Sequence, residues 1–120
     1  MREFLWVGAG GALGSATRYA MIRWLGELAF PAATLAVNLS GSLLLGLLVG
    51  LVGGRVDVVI RTGLFIGLLG GFTTFSTFSV ETISLFRDGD AFQAVGNVVV
   101  SVLGGLTVAW IGLIVGESLA

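Results

Sequence analysis

The stretch of sequence that decides the fold is residues 67–81, which read GLLGGFTTFSTFSVE. Here an apolar segment gives way to two adjacent glycines and then to a run of hydroxyl residues. Glycine is a poor residue for a helix interior, so the pattern predicts a helix that is interrupted in its middle. The interruption would free backbone carbonyls near Gly70 and Thr73, and carbonyl oxygens suit a hard cation. The half-helix that begins near Thr74 would direct its positive end at the same point, which favours an anion.

The amino-acid composition excludes most soluble and catalytic classes of protein. The chain has 120 residues, of which 56% are hydrophobic, 11% are charged and 20 are glycine. A soluble domain carries about a quarter charged residues, so a water-soluble globular fold is excluded. Since the chain contains no histidine, cysteine or lysine, it has no imidazole, thiol or zinc chemistry, and we expect no enzyme. A net charge of −1 supplies no basic patch for nucleic acid.

Four apolar segments are long enough to cross a bilayer, which takes about 20 residues for a helix. Charged and turn residues gather between them, at 27–31, 53–57 and 87–90. The sequence therefore predicts an all-α membrane protein whose residues 1–120 form a single transmembrane domain, with the third helix broken at mid-membrane. The four predicted spans lie at about residues 4–25, 32–52, 58–86 and 91–119.

The arginines are divided almost evenly between the two sides of this arrangement. One side carries Arg2, Arg55 and Arg61, and the other carries Arg23 and Arg87. Positive loop charge normally fixes the orientation of a membrane protein, so this near balance indicates a chain that inserts both ways round. An antiparallel two-fold homodimer is then a natural assembly. The alternative is a single topology fixed by Arg2 and the amino terminus.

Polar side chains within the apolar segments mark a candidate pathway, because lipid satisfies none of their hydrogen bonds. Asn38 in the second span must face another helix or a wet pathway. In the third span, Thr74 and Thr77 share one face of the helix, and Phe75 and Phe78 lie beside that face. The positive edge of an aromatic ring can face a small anion. The alternatives are ordinary packing for the phenylalanines and helix-to-helix bonding for the amide.

Polar residues of the first and fourth spans extend this pattern. Asn97 and Ser101 share a face and could continue a polar track. Arg18 either extends to the headgroups or lies at the mouth of an aqueous vestibule, where it would attract anions. From the residues alone we expect a small dimeric channel or transporter for a small ion, with an anion favoured over a cation.

Residues 70–78, which read GGFTTFSTF, strongly resemble the signature of the Fluc (CrcB) family of fluoride channels. Supporting matches lie at residues 11–19 and 34–41 and, more loosely, at 97–101, while Ala33 and Leu69 depart from residues common in the family. The resemblance implies an antiparallel, dual-topology homodimer with two fluoride pores and a central sodium ion. It also implies passive fluoride export across the inner membrane of the cell, with fluoride, membrane lipid and a second copy of the chain as the partners.

The same resemblance implies roles for individual residues. Gly70 and Thr73 would hold the structural sodium ion at the dimer centre through their backbone carbonyls, once from each subunit. The remaining assignments are Asn38, Phe75 and Phe78 in the fluoride pore, Thr74, Thr77 and Ser101 in the polar track, and Arg18 at the vestibule.

Two other functions are compatible with a small four-helix membrane protein. A dual-topology, proton-coupled multidrug exporter needs a carboxylate within its first span, and that span has none between Glu3 and Glu27. Glu81 could substitute only in part. A non-transporting membrane subunit would carry no flux by itself, and it would leave the interrupted third span without a purpose.

Overall fold

The chain folds into helices throughout the part that the computed structural model describes, residues 1–26 and 30–120. This confirms the all-helical fold class, and the helices begin and end close to the predicted segments, α3 and α4 together occupying the third. The break predicted at 27–31 lies partly outside the described residues. The helices are α1 (Arg2–Leu25), α2 (Ala32–Val52), α3 (residues 58–72), α4 (Phe75–Arg87) and α5 (Ala91–Leu119).

Glycines in the left-handed region of backbone conformation follow the ends of three helices. They are Gly26 after α1, Gly53 after α2 and Gly89 after α4, with φ of 76°, 55° and 87°. Side chains with a Cβ rarely adopt this conformation. The next helix after Gly53 starts at a conventional cap, because the Asp57 carboxylate accepts a hydrogen bond from the Val59 amide at 2.8 Å.

Three of the described helical segments are long and apolar enough to cross a membrane, and they support a membrane protein. They are Ala32–Val52, Val58–Arg87 and Ala91–Leu119. The helix α1 is not among them, although its 24 residues give it a length of about 36 Å against roughly 30 Å of hydrocarbon. Its hydropathy is lowered by Arg18 and by a series of small and hydroxyl residues, so the first predicted span, residues 4–25, is long enough but less apolar than the other three.

The helices pack in two pairs, α1 against α3 and α2 against the C-terminal half of α5. Glycine makes the close approach possible in both pairs. A Cβ atom at Gly14 would overlap the Leu68 carbonyl of α3, and one at Gly46 would overlap the Ala109 carbonyl of α5. Since the hydrophobic effect is weak between helices in lipid, close backbone contact of this kind is a main source of helix association there.

Two stretches of the helices are wound as π-helix, which the sequence reasoning did not anticipate. They are Gly63–Leu69 within α3 and Val100–Gly104 within α5. A π-helical turn bonds each amide to the carbonyl five residues back and is frequent at functional sites. Both stretches contribute residues to the cavity described below.

Candidate functional site

The third helical segment is interrupted at Thr73 and Thr74. The helix α3 ends at Phe72, and the next two residues have extended backbone, with φ and ψ of −78° and 158° at Thr73 and −149° and 112° at Thr74. The helix α4 then begins at Phe75. The interruption lies two residues after the glycine pair that the sequence reasoning held responsible, since Gly70 and Gly71 are themselves helical.

Of the two glycines, Gly71 has a packing role instead. A Cβ atom at Gly71 would lie 2.8 Å from the Gly11 carbonyl of α1, closer than real Cβ contacts allow. The Ser15 hydroxyl of α1 also donates to the Gly71 carbonyl at 3.4 Å. These contacts hold the end of α3 against α1 immediately before the chain leaves the helix.

Thr74 starts α4 as its N-cap residue. Its hydroxyl oxygen accepts a hydrogen bond from the Thr77 amide at 3.3 Å and donates to the Thr77 hydroxyl at 2.9 Å. Threonine is a favoured N-cap because its side chain satisfies one of the amides left free at a helix start. The cap explains why the new helix begins where it does.

The side-chain amide of Asn38, on α2, binds both backbone groups of Thr74. The Asn38 Oδ1 accepts from the Thr74 amide at 2.8 Å, and its Nδ2 donates to the Thr74 carbonyl at 3.0 Å. In a continuous helix the Thr74 amide would bind the Gly70 carbonyl. Because that amide is bound to Asn38, the Gly70 carbonyl lacks the donor that a helix would supply.

Arg18 reaches the interruption from α1. Its Nη1 donates to the Thr73 carbonyl at 3.2 Å, and the side chain is half-buried. The sequence reasoning placed this residue either at the headgroups or at a vestibule. Since a guanidinium delivers a positive charge with its hydrogen bond, Arg18 stabilises the electronegative end of α3 at the interruption.

A cavity of about 420 Å³ lies beside the interruption. It brings together seven of the nine residues that the sequence analysis assigned to a site, and it leaves out Arg18 and Thr77. Thr77 is exposed elsewhere, with its hydroxyl bound to Thr74. Among the described residues, none that lines the cavity carries a charge. The assigned residues that line it are Asn38, Gly70, Thr73, Thr74, Phe75, Phe78 and Ser101.

Phe65, Phe75 and Phe78 all line the cavity, and the two that belong to α4, Phe75 and Phe78, differ sharply in exposure. Phe75 is 78% exposed in the single chain and Phe78 is 9% exposed. Their ring centroids lie 5.5 Å apart with the planes inclined at 47°, which is within the distance at which aromatic pairs interact. Phe75 therefore stands free at the edge of the cavity while Phe78 is fixed within the fold.

A buried hydrogen-bonded series joins α4 to α5 behind Phe78. Ser101 donates to Asn97 Oδ1 at 3.3 Å, Asn97 Nδ2 donates to the Thr82 hydroxyl at 2.9 Å, and that hydroxyl donates to the Phe78 carbonyl at 2.8 Å. Asn97 is 2% exposed and Thr82 is 8% exposed. The sequence reasoning had placed Asn97 and Ser101 on one face, but the pairing with Thr82 was missed because sequence spacing does not reveal how α4 faces α5.

The Glu81 carboxylate lies on α4, about one turn beyond Phe78. Its Oε1 accepts a hydrogen bond from the Thr34 hydroxyl of α2 at 2.8 Å, and its Oε2 is buried without a partner among the described residues. This residue does not line the cavity. The carboxylate links α4 to α2 at a point separate from the Asn38 contact.

The site as a whole offers weak partners for an ion. The cavity presents backbone carbonyls, hydroxyl groups, an amide and three aromatic rings, and the Arg18 guanidinium is bound to the Thr73 carbonyl. Hydroxyl and amide donors can replace part of the hydration shell of an anion, and carbonyls can do so for a cation. An arrangement without a fixed counter-charge lets an ion enter and leave.

Comparison with known proteins identifies the family. A family model described as "CrcB-like protein, Camphor Resistance (CrcB)" matches residues 5–113. A protein of Moorella thermoacetica named "Fluoride-specific ion channel FluC 2" is 43% identical over 119 residues, which cover 97% of this chain and 98% of the relative. A protein of Geotalea uraniireducens named "Fluoride-specific ion channel FluC" is 44% identical over 124 residues, covering 99% of this chain and all of the relative. The chain belongs to the CrcB family.

Proposed function

We propose that this protein is a fluoride-selective channel, not an enzyme, and that it exports fluoride passively across the cell's inner membrane to relieve fluoride toxicity. The observation that carries the proposal is the uncharged cavity at the interruption, which gathers Asn38, Thr74, Phe75, Phe78 and Ser101. The full-length relatives named as fluoride-specific ion channels support it.

The chemistry of the cavity suits a small, strongly hydrated anion. Conduction requires binding that is favourable enough for the ion to enter and weak enough for it to leave. Ring edges, hydroxyls and the second Nδ2 hydrogen of Asn38 are partners of that strength. A free guanidinium in the pathway would hold fluoride too strongly, and the contact between Arg18 and the Thr73 carbonyl keeps that group engaged.

A structural sodium ion belongs to the proposal, held by the carbonyls of Gly70 and Thr73. Backbone carbonyls are hard oxygen donors, which suit an alkali cation. The Gly70 carbonyl has lost its helical donor because the Thr74 amide binds Asn38, so the residues present fit the ion. Bound sodium would supply positive charge at the interruption and link the carbonyls that meet there.

The proposed assembly is an antiparallel, dual-topology homodimer with four spans in each chain and the third broken at mid-membrane. One chain offers the two carbonyls once, so a second copy would complete the oxygen set around the cation. The near balance of arginines across the membrane supports insertion both ways round. The 78% exposure of Phe75 supports a neighbour or a wet pathway at that face, since a lone chain leaves the ring uncovered.

Fluoride efflux from liposomes tests the proposal directly. Purified protein is reconstituted into vesicles loaded with fluoride, and release is followed with a fluoride electrode, with chloride-loaded vesicles as the control. We expect rapid fluoride release and no comparable chloride release. Vesicles that release no fluoride, or that release chloride at the same rate, would contradict the proposal.

A further inference from the structure

The hydrogen bonds between α5 and Phe78 run in one direction only. The series ends at the Phe78 carbonyl, and a carbonyl can only accept. The Thr82 hydroxyl must therefore donate its single proton there, and towards Asn97 it can only accept. This turns the Nδ2 of Asn97 to Thr82 and the Oδ1 to Ser101. The Ser101 hydroxyl is consequently the donor in its bond with Asn97.

The direction matters because, among the hydroxyl and amide side chains of the series, only that of Ser101 belongs to a residue lining the cavity. Ser101 lines the cavity, whereas Asn97 and Thr82 lie behind it and are buried. A hydroxyl binds an anion through its proton, and the proton of Ser101 is held by Asn97 Oδ1 across 3.3 Å. That distance is longer than the usual O–H···O hydrogen bond, so a small rotation of the Ser101 hydroxyl can redirect its hydrogen bond to a stronger acceptor while the proton stays on the oxygen.

We propose that Asn97 is a positioning residue that controls the availability of the Ser101 proton to the conducted anion. The inference rests on the proposed function and deepens it. Asn97 is the resting acceptor for the Ser101 hydroxyl. An arriving fluoride ion takes over that hydrogen bond, and the bond to Asn97 forms again when the ion leaves. Because the departing ion leaves no unsatisfied donor behind, its release costs little.

The alternative role for Asn97 is structural, as a bond between α4 and α5. The two roles predict different measurements. A structural contact affects the thermal stability and the amount of folded protein. A resting acceptor affects how flux depends on fluoride concentration, and its effect disappears when Ser101 has no hydroxyl.

The experiment measures initial fluoride efflux over a range of fluoride concentrations for reconstituted full-length variants. In Asn97→Leu the Ser101 proton loses its resting acceptor, so an ion is held more strongly. We expect the half-saturating fluoride concentration to fall roughly threefold to tenfold, the equivalent of one hydrogen bond, with a lower maximal flux. In a Ser101→Ala background, Asn97→Leu should change neither quantity.

Thr82→Val provides the second test and keeps the shape of the side chain. It removes the acceptor of Asn97 Nδ2, so the amide can turn and offer Nδ2 to the Ser101 oxygen, which again frees the Ser101 proton. We expect the same fall in half-saturating concentration from a residue outside the cavity. Thr107→Val is the matched control, since that exposed hydroxyl on α5 donates only to the Leu103 carbonyl of its own helix at 2.7 Å.

The possible outcomes separate this inference from the proposed function. If the unmodified protein carries no fluoride, the proposed function fails, and the inference fails with it. If the unmodified protein conducts, an unchanged half-saturating concentration in folded Asn97→Leu overturns the inference alone. So does a shift that persists in the Ser101→Ala background. Should Asn97→Leu not fold, Thr82→Val decides by the same two criteria.

Discussion

Asn38 and Thr74 form a reciprocal pair, in which one side-chain amide satisfies both the N–H and the C=O of one backbone residue. The two residues belong to different helices and are separated by 36 positions in the chain. The Asn38 amide thus supplies Thr74 with the two backbone hydrogen bonds that a neighbouring strand would supply in a sheet. An extended residue can therefore persist between two helices without an unsatisfied backbone group.

Replacing Asn38 should destabilise the protein and stop conduction. In Asn38→Leu the backbone N–H and C=O of Thr74 both lose their partner. Thr74 is only 7% exposed, so water cannot replace that partner. We expect a loss of about 2–4 kcal/mol in the free energy of unfolding, from two buried groups left unsatisfied, and at least a tenfold loss of fluoride flux. Thermal unfolding in detergent and liposome efflux measure the two effects.

The control for Asn38 is Ser40→Ala on the same helix. The Ser40 hydroxyl donates to the Val37 carbonyl of α2 itself, so we expect its removal to leave the unfolding temperature and flux close to those of the unmodified protein. An Asn38→Leu protein as stable as the unmodified one would show that the amide does not hold Thr74.

The two phenylalanines should respond differently to the same substitution. Phe75→Ile changes an exposed ring, so we expect flux to fall at least tenfold while the unfolding temperature is preserved. Phe78→Ile changes a buried ring, so we expect a similar loss of flux together with about 1–2 kcal/mol of destabilisation. Phe92→Ile, at an exposed ring outside the cavity, is the control. Full flux in Phe75→Ile would count heavily against its place in the pore.

Helix limits and fold class could be predicted from the sequence because both depend on the length of apolar runs and on the residues between them. The start of the second half-helix near Thr74 could be predicted from the sequence, but the residues responsible for the interruption could not. The glycine pair suggested a break on grounds of helix propensity, whereas both glycines are helical and Gly71 packs against Gly11 of α1. The break falls where Thr74 can cap α4 and Asn38 can bind its backbone.

Several contacts of the site could not be predicted because they depend on how one helix faces another. The sequence placed Arg18 on α1 but could not show that its guanidinium meets the Thr73 carbonyl. It placed Asn97 and Ser101 on one face but not the buried partner Thr82. The π-helical stretches were missed for the related reason that the 3.6-residue period assumed for every helix excludes them.

Sodium should stabilise the folded protein, and Arg18 should weaken that effect. Its positive charge lies 3.2 Å from the Thr73 carbonyl oxygen, so it repels a cation at the same carbonyl. We expect thermal stability to rise with sodium at constant ionic strength, with N-methylglucamine as the replacement cation. In Arg18→Gln we expect the half-effective sodium concentration to fall at least roughly threefold.

The matched control for this measurement is Arg23→Gln, at an exposed arginine in the last turn of the same helix. Unfolding temperatures of the unmodified protein that do not change with sodium would count against the proposed cation. An Arg18→Gln protein with an unaltered sodium response would show instead that the guanidinium and the ion do not interact.

Glycine substitutions should separate close-packed positions from open ones. In Gly46→Ala the new methyl group meets the Ala109 carbonyl on α5, and displacement of a helix backbone costs about 1–3 kcal/mol or more. In Gly8→Ala the new methyl group meets nothing within 4 Å, so we expect up to about 1 kcal/mol of stabilisation from higher helix propensity. Equal unfolding temperatures for the two variants would contradict the packing described for α2 and α5.

The reciprocal arrangement of glycines on α2 and α5 has a consequence for how this protein can change over time. Gly46 and Gly50 face α5, while Gly112 and Gly116 face α2, and each contact is made with backbone atoms. A clash with a side chain can be relieved by shortening that side chain, but one with backbone cannot be relieved by any substitution opposite. A substitution at one of these glycines therefore cannot be compensated by a second mutation on the facing helix. We expect sequence variation to be confined to the faces of α2 and α5 that point away from each other.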